Sequence, residues 1–176
     1  MQQLRAAGAV LIGLTSMDEG ALGAEGLNPW YGITHNPRRS GWSAGGSSSG
    51  SAAAVAARLV PLAIGTDTIG SVRIPASFCG VASLKPSYGL ISVRGIVPVH
   101  RRFDHAGPIG HRVRDLRSAL QVLAVHDPQC QVSFPLQLKS PLPEATPVAM
   151  GYAVGLENFA VSEEVLAAYQ RGIAAL

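Results

Sequence analysis

Two short stretches of this chain set hydroxyl groups beside glycines in a way that could serve acyl chemistry. The first reads Gly45-Gly46-Ser47-Ser48-Ser49-Gly50-Ser51 and the second Asp67-Thr68-Ile69-Gly70-Ser71-Val72-Arg73. A serine hydroxyl is a weak nucleophile unless a nearby group takes its proton. Glycine allows close backbone approach, and free N–H groups at a helix start point toward an anion. Composition alone leaves a plainer reading open, in which a Ser/Gly run ahead of an alanine helix is a linker or a cap. A phosphate-binding loop fits poorly, because no Gly-Lys-Ser/Thr follows the glycines. The Gly-x-Ser-x-Gly elbow is also missing around Ser71. Asp67 and Arg73 read as a buried pair bracing the second turn. Ser48 and Ser51 cap or line the helix, with substrate orientation as the alternative for Ser48.

The elements that must hold these segments follow from local pattern. Met1 to Ala7 reads as a helical turn stopped by Gly8, and the apolar run 9–12 as a buried strand. Ser16 and Glu19 have capping-box spacing, predicting a helix over 16–22. Residues 23–46 read as a long loop with turns at Asn28-Pro29 and Asn36-Pro37. Alanines predict a helix over 50–59, and Leu62-Ala-Ile-Gly-Thr a strand over 62–66 that feeds the turn at Gly70, with a helix after Ser71. Val81 to Leu84 suggests another strand, with hairpin-like pieces around Ile91 and Ile96-Val-Pro-Val. Val113, Leu116, Leu120 and Leu123 recur at helical spacing. Residues 128–147 read as a surface connection and 147–152 as a strand. Ser162-Glu-Glu opens a last helix that continues to the end of the sequence. Alternating strands and helices indicate an α/β layer architecture.

Composition narrows the function classes. Nearly half of the 176 residues are hydrophobic, enough for a buried core. The net charge of +3 arises from 14 basic and 11 acidic side chains, and the only lysines are Lys85 and Lys139. The pairs Arg38–Arg39 and Arg101–Arg102 form no continuous basic stripe with interleaved aromatics, so direct nucleic-acid binding is not expected. Cys79 and Cys130 lack the spacing of a disulfide scaffold or a zinc site. The opening residues are too short and polar for a secretory signal, and the apolar stretch 52–64 is too short to span a membrane. These features predict a soluble, cytoplasmic protein.

The stretch from Gly45 through Pro86 resembles the amidase signature family. In that family Gly-Gly-Ser-Ser-Gly-Gly-Ser-Ala precedes an alanine-rich helix, and Asp-x-Gly-Gly-Ser-Ile-Arg carries the nucleophile. Here the text runs GGSSSGSAAAVAARLVPLAIGTDTIGSVRIPASFCGVASLKPSYG. The likeness extends upstream through LRAAGAVLIGLTSMDEGALG and the loop holding YGITHNP, and downstream through FDHAGPIGHRVRDLRSALQVLAVHDP.

That resemblance implies an α/β fold: a partial amidase-signature core, with a mixed sheet and flanking helices. It implies hydrolysis of carbon–nitrogen bonds in a small amide through a serine acyl-enzyme, or, in a tRNA-linked amidotransferase, ammonia passed to a partner. By the same resemblance Ser71 is the nucleophile and Ser47 the bridging serine of a Ser–cis-Ser–Lys triad, preceded by a cis peptide bond. The N–H groups of Thr68, Ile69, Gly70 and Ser71 would form the oxyanion hole, with Gly45, Gly46, Ser48, Asp67 and Arg73 shaping the site. No metal or organic cofactor is implied.

The family's lysine lies farther upstream of its bridging serine than the 46 residues that precede Ser47 here. Residues 1–176 are therefore expected to be a partial amidase domain without the lysine-bearing segment and the C-terminal half. Self-association or a partner supplying the missing segments is expected. A catalytically inactive, amidase-like binding or assembly partner is the alternative. Lys85, His105 and His111 are expected in structural or surface roles. Ser49 and Ile69 stand where the family has glycines, and isoleucine at 69 would be strained if its φ were positive.

Overall fold

The computed structural model describes residues 1–135 and 149–175. The chain divides into two compact units, Met1–Leu138 and Lys139–Leu176. In the first unit, helix α1 (Gln2–Ala6) leads to a 3-10 turn (Glu19–Ala21) and a two-rung hairpin, β1 (Leu27–Asn28) with β2 (Gly32–Ile33). Then come helix α2 (Ser49–Ala56), strand β3 (Leu62–Asp67), helix α3 (Arg73–Cys79), strand β4 (Ala82–Ser83), strand β5 (His105–Gly110) and helix α4 (Val113–Leu123).

Strands β3, β5 and β4 lie side by side in that order, each pair antiparallel. Side chains alternate across a strand, and here the alternation feeds two cores. Ala63 and Ile109, paired in register, join Ala44, Ala52, Val55, Val72, Ala76 and Cys79 beneath α2 and α3. Leu62, Ile64 and Ala106 point the other way, to Leu4 of α1 and to Ala119 and Leu123 of α4. Helices thus cover both faces of a small sheet. Val55, Val72 and Ile109 are fully buried, each contributing about 1.5–3 kcal/mol by removal from water.

Several sequence expectations hold. The alanine helix, the strand after it, the helix following Ser71, the segment near 82–83 and α4 are present. The alanine helix stops at Ala56 rather than 59, where Arg58 takes a positive φ of 61°. The Asn28-Pro29 turn forms the tip of the small hairpin inside the long loop.

Other expectations are corrected. Residues 9–12 form no strand: Val10 and Ile12 are exposed, and no described strand pairs with this run. An apolar run becomes a strand only when another backbone completes its hydrogen bonds. The helix over 16–22 reduces to a three-residue 3-10 turn with Gly20 and Ala21 at positive φ. The pieces near Ile91 and 96–99 are not strands either.

Local pattern does not mark strand β5, since Pro108 argues against a central strand. The structure reconciles the two through direction. The Pro108 carbonyl accepts the Leu84 N–H at 3.0 Å, so the edge lacking an N–H faces the residue just past the end of β4. The ladder to β3 loses nothing.

The second unit holds a 3-10 turn (Leu156–Asn158) and helix α5 (Glu163–Ala174). Ser162 caps α5 by accepting the Val165 N–H, and Tyr169 donates to the Ala153 carbonyl. The helix ends at Ala174 with Ala175 as its C-cap, and the last residue, to which it is expected to run, lies outside the described residues. Of the strand expected over 147–152, positions 147–148 lie outside the described residues and 149–152 are not extended into a ladder. The surface connection expected over 128–147 lies largely outside them as well. Among the described residues no helix is long and apolar enough to cross a membrane.

Candidate active site

The elements that flank the two serine segments bring them to one place. Segment 45–51 enters the start of α2, and segment 67–73 joins the end of β3 to α3. They are tied by the Ser48 N–H, which donates to the Ser71 carbonyl at 3.1 Å. Ser47 is fully buried and Ser71 is 7% exposed. The Gly46–Ser47 peptide bond is cis, as the resemblance implied.

Within the first segment the hydroxyls fasten neighbouring backbone. Ser48 Oγ donates to the Thr66 carbonyl and accepts the Thr66 N–H, both at 3.1 Å. Ser51 Oγ donates to the Ile64 carbonyl and meets Thr15 Oγ1 at 2.8 Å. Ser49 Oγ reaches Thr34 Oγ1 at 3.1 Å. Ser47 differs from its neighbours: its hydroxyl is buried and has no hydrogen-bond partner among the described residues. A buried polar group left unpaired costs about 1–3 kcal/mol.

The second segment is braced by a carboxylate. Asp67 is fully buried, and its Oδ2 accepts the Val72 N–H at 3.1 Å, the Arg73 N–H at 3.4 Å and Arg73 Nε at 3.0 Å. Oδ1 takes Arg73 Nη2 at 2.9 Å. Burial alone would push this carboxyl up. The hydrogen bonds from Arg73 and Val72, with the guanidinium charge, outweigh burial and hold it below the usual carboxylate range. Pairing raises Arg73 in turn. Asp67 is thus a bracing anion rather than a proton acceptor.

Residues 68–71 form the turn between these anchors. Their backbone N–H groups donate to no protein group among the described residues, whereas those of Val72 and Arg73 are taken by Asp67. Gly70 has φ of 150°, and a Cβ there would come within 2.6 Å of Ile74 Cδ1. Ile69 does not have a positive φ and its side chain is 86% exposed, so isoleucine is accommodated at the position where the family has glycine.

Two buried acids escape sequence reasoning. Asp18 accepts the Glu25 and Gly26 N–H groups, donates its own N–H to the Ser47 carbonyl at 3.1 Å, and lies against Gly46. Asp104 accepts the Val99 and His100 N–H groups and the Thr68 hydroxyl. The available signal for Asp104 is an acid placed two positions before an apolar run, Ala106-Gly-Pro-Ile. Asp18 offers only its place in a segment whose pattern reads as helix.

The remaining titratable candidates lie in structural settings. Lys85 Nζ donates to the Pro86 carbonyl at 3.0 Å and sits 3.2 Å from His105 Nε2, while His105 Nδ1 bonds the Phe103 carbonyl. That carbonyl accepts the Nδ1 proton, which leaves Nε2 as the acceptor for Lys85. His111 has a buried Nε2 with no partner among the described residues. No cluster among the described residues could hold a metal ion. A cavity of about 250 Å³ belongs to the second unit, lined by Tyr152, Leu156, Leu166, Tyr169 and Ile173, and includes none of the candidate site residues.

The family model for amidase matches residues 1–176. The chain belongs to the amidase family. It is 42% identical to one subunit of the glutamyl-tRNA(Gln) amidotransferase from a Picosynechococcus species, over 99% of this chain and 38% of that protein. It is 50% identical to AtzE, the 1-carboxybiuret hydrolase component of Pseudomonas sp. strain ADP, over 73% of this chain and 28% of that one. Among solved structures, 6-aminohexanoate cyclic dimer hydrolase superposes with a TM-score of 0.74 at 42% identity, covering 78% of this chain and 29% of that chain. The chain therefore spans well under half the length of these relatives.

Proposed function

We propose that residues 1–176 form the serine-bearing part of an enzyme that hydrolyses carbon–nitrogen bonds in a small amide. Ser71 Oγ attacks the amide carbonyl carbon. Its proton passes to Ser47 Oγ as the Ser47 proton passes to a base, a relay that requires the two hydroxyls, not hydrogen-bonded in the free site, to pair when substrate binds. The oxygen that gains charge sits against the N–H groups of Thr68 to Ser71. Collapse of this intermediate breaks the C–N bond, and the amine leaves with a proton returned through Ser47. Water then attacks the acyl-enzyme, releasing the carboxylic acid and regenerating Ser71.

The observation that carries this reading is the Ser47 hydroxyl, fully buried and without a partner among the described residues, beside a segment bonded to Ser71. Every other serine of segment 45–51 spends its hydroxyl on structure. We assign the base, by the family resemblance, to a lysine upstream of residues 1–176; Lys85, the only lysine among the described residues, is committed to Pro86 and His105. Similarity to a glutamyl-tRNA(Gln) amidotransferase over nearly the whole chain favours a second reading, in which the released ammonia is passed to an acceptor on a partner.

A serine-directed fluorophosphonate probe with peptide mapping tests the assignment. Four chains are compared: residues 1–176, a chain extended upstream through a lysine-bearing strand, and the Ser71→Ala form of each. Strong labelling of Ser71 is expected only with the extension, and Ser71→Ala should abolish it there, a loss of about a thousandfold or more. Robust amide turnover by residues 1–176 alone, lost in Ser71→Ala, would overturn the external base. Ammonia release that rises only with an activated acyl acceptor would select the transfer reading.

A further inference from the structure

Strand β5 ends its ladder with β3 at the pair Asp67–His105, which sets the preceding residue, Asp104, alongside Thr68. Asp104 is buried, with 7% of its surface exposed. Its Oδ2 accepts the Val99 N–H at 2.9 Å and the His100 N–H at 3.0 Å, and Oδ1 accepts the Thr68 hydroxyl at 2.7 Å. The Thr68 bond is the shortest of the set and the only one that reaches the turn preceding Ser71. Asp67 secures that turn from its far side, at Val72 and Arg73. Between these two carboxylates lie Ile69, Gly70 and Ser71, whose N–H groups find no protein acceptor among the described residues.

We propose that Asp104 is a positioning residue for the turn 68–71, acting through the Thr68 hydroxyl. The proposal rests on the reading of Ser71 as nucleophile for its catalytic consequence, though not for its structural one. An unpaired row of N–H groups cannot hold its own geometry, and donors aimed at developing charge act only when fixed in advance. Asp104 transfers the rigidity of loop 99–104 to the near end of the row. Its backbone bonds to Val99 and His100 fix the carboxylate, and the single side-chain bond to Thr68 transmits that position.

The test separates the two duties of Asp104 by changing Thr68. In residues 1–176, backbone ¹⁵N relaxation is measured at Ile69, Gly70 and Ser71 for Thr68→Val, Thr68→Ser, Asp104→Ala and the double variant Thr68→Val/Asp104→Ala. Order parameters there should fall from about 0.85 toward 0.6 in Thr68→Val and be retained in Thr68→Ser. The double variant should be no looser at this turn than Asp104→Ala. Amides 99–100 should loosen only when Asp104 is changed. Unchanged order at 69–71 in Thr68→Val, or a double variant clearly looser than either single one, would overturn the proposal.

In the chain extended through the lysine, Thr68→Val should slow phosphonylation of Ser71 by about 10- to 100-fold while leaving reversible probe binding unchanged. A rigid-to-mobile change without any Ser71 labelling in the unsubstituted extended chain would defeat the nucleophile assignment and leave the structural coupling standing. Should Asp104→Ala fail to fold, the contrast between Thr68→Val and Thr68→Ser still decides.

Discussion

Segments 45–51 and 67–73 meet at the Ser48–Ser71 backbone bond, yet they are held by opposite means. In the first, neutral hydroxyls of Ser48, Ser49 and Ser51 bond to carbonyls and other hydroxyls on β3 and on residues 15–34. In the second, the charged carboxylate of Asp67 gathers two backbone N–H groups and a guanidinium, while a second carboxylate takes Thr68. Hydroxyls donate and accept, so they suit a segment where carbonyls and N–H groups alternate. A carboxylate only accepts, so Asp67 draws the Val72 and Arg73 N–H groups and Asp104 the Thr68 hydroxyl, which leaves the N–H groups of residues 68–71 unpaired among the described residues. Among the described residues, the first arrangement leaves one buried hydroxyl unpaired, that of Ser47, and the second a row of unpaired donors.

Substitutions should separate these two forms of bracing. The largest loss of stability is expected for Asp67→Ala, about 3 kcal/mol by urea denaturation, because the Val72 N–H is left buried and the ion pair is broken. Arg73 is half exposed and can turn to solvent, which keeps the cost toward the lower end for a broken buried pair. The same residue sets a pH dependence. Its folded pKa lies below the unfolded value, so its contribution is complete above about pH 4 and disappears as pH falls through the folded pKa. Asp67→Asn should flatten the acid limb of the stability curve; a limb unchanged in that variant would assign it to other carboxylates.

Gly46→Ala tests the first segment by contact rather than charge. A Cβ at 46 would overlap Asp18 Oδ1, and that carboxylate is itself tied to Gly26. Destabilisation of about 1–3 kcal/mol is expected, with probe labelling of Ser71 in the upstream-extended chain reduced further than the stability loss explains. A fully stable Gly46→Ala protein would show that Asp18 can withdraw at no cost.

The smallest effect is expected at Ile69. Its φ is ordinary and its side chain projects into solvent, so restoring the family's glycine should lower stability by no more than about 1 kcal/mol through added backbone freedom. A large gain in stability for Ile69→Gly, measured by thermal unfolding, would mean that isoleucine strains the turn after all.

Much of the site is legible in the amino-acid sequence. Segment identities, the order of α2, β3 and α3, and the Asp67–Arg73 brace are all local, spanning a few residues whose spacing restricts what they can reach. Asp104 and Asp18 are not legible in that way, since each acts on a residue far along the chain, 36 positions from Asp104 to Thr68 and the Ser47 carbonyl for Asp18. No periodicity records such a pairing.

By itself, the amino-acid sequence determined the elements whose signals are self-contained: the alanine helix, the apolar strand 62–67, the amphipathic helix 113–123 and the Ser162 cap. Tertiary structure alone decided which extended runs became strands. Ala9-Val-Leu-Ile is more apolar than His105-Ala-Gly-Pro-Ile-Gly, yet the second is central to the sheet and the first is unpaired among the described residues. A helix closes its hydrogen bonds within its own segment, so local sequence can specify it. A strand must find its partners elsewhere, and β5 found them on both sides because the N–H that Pro108 lacks is needed by neither ladder.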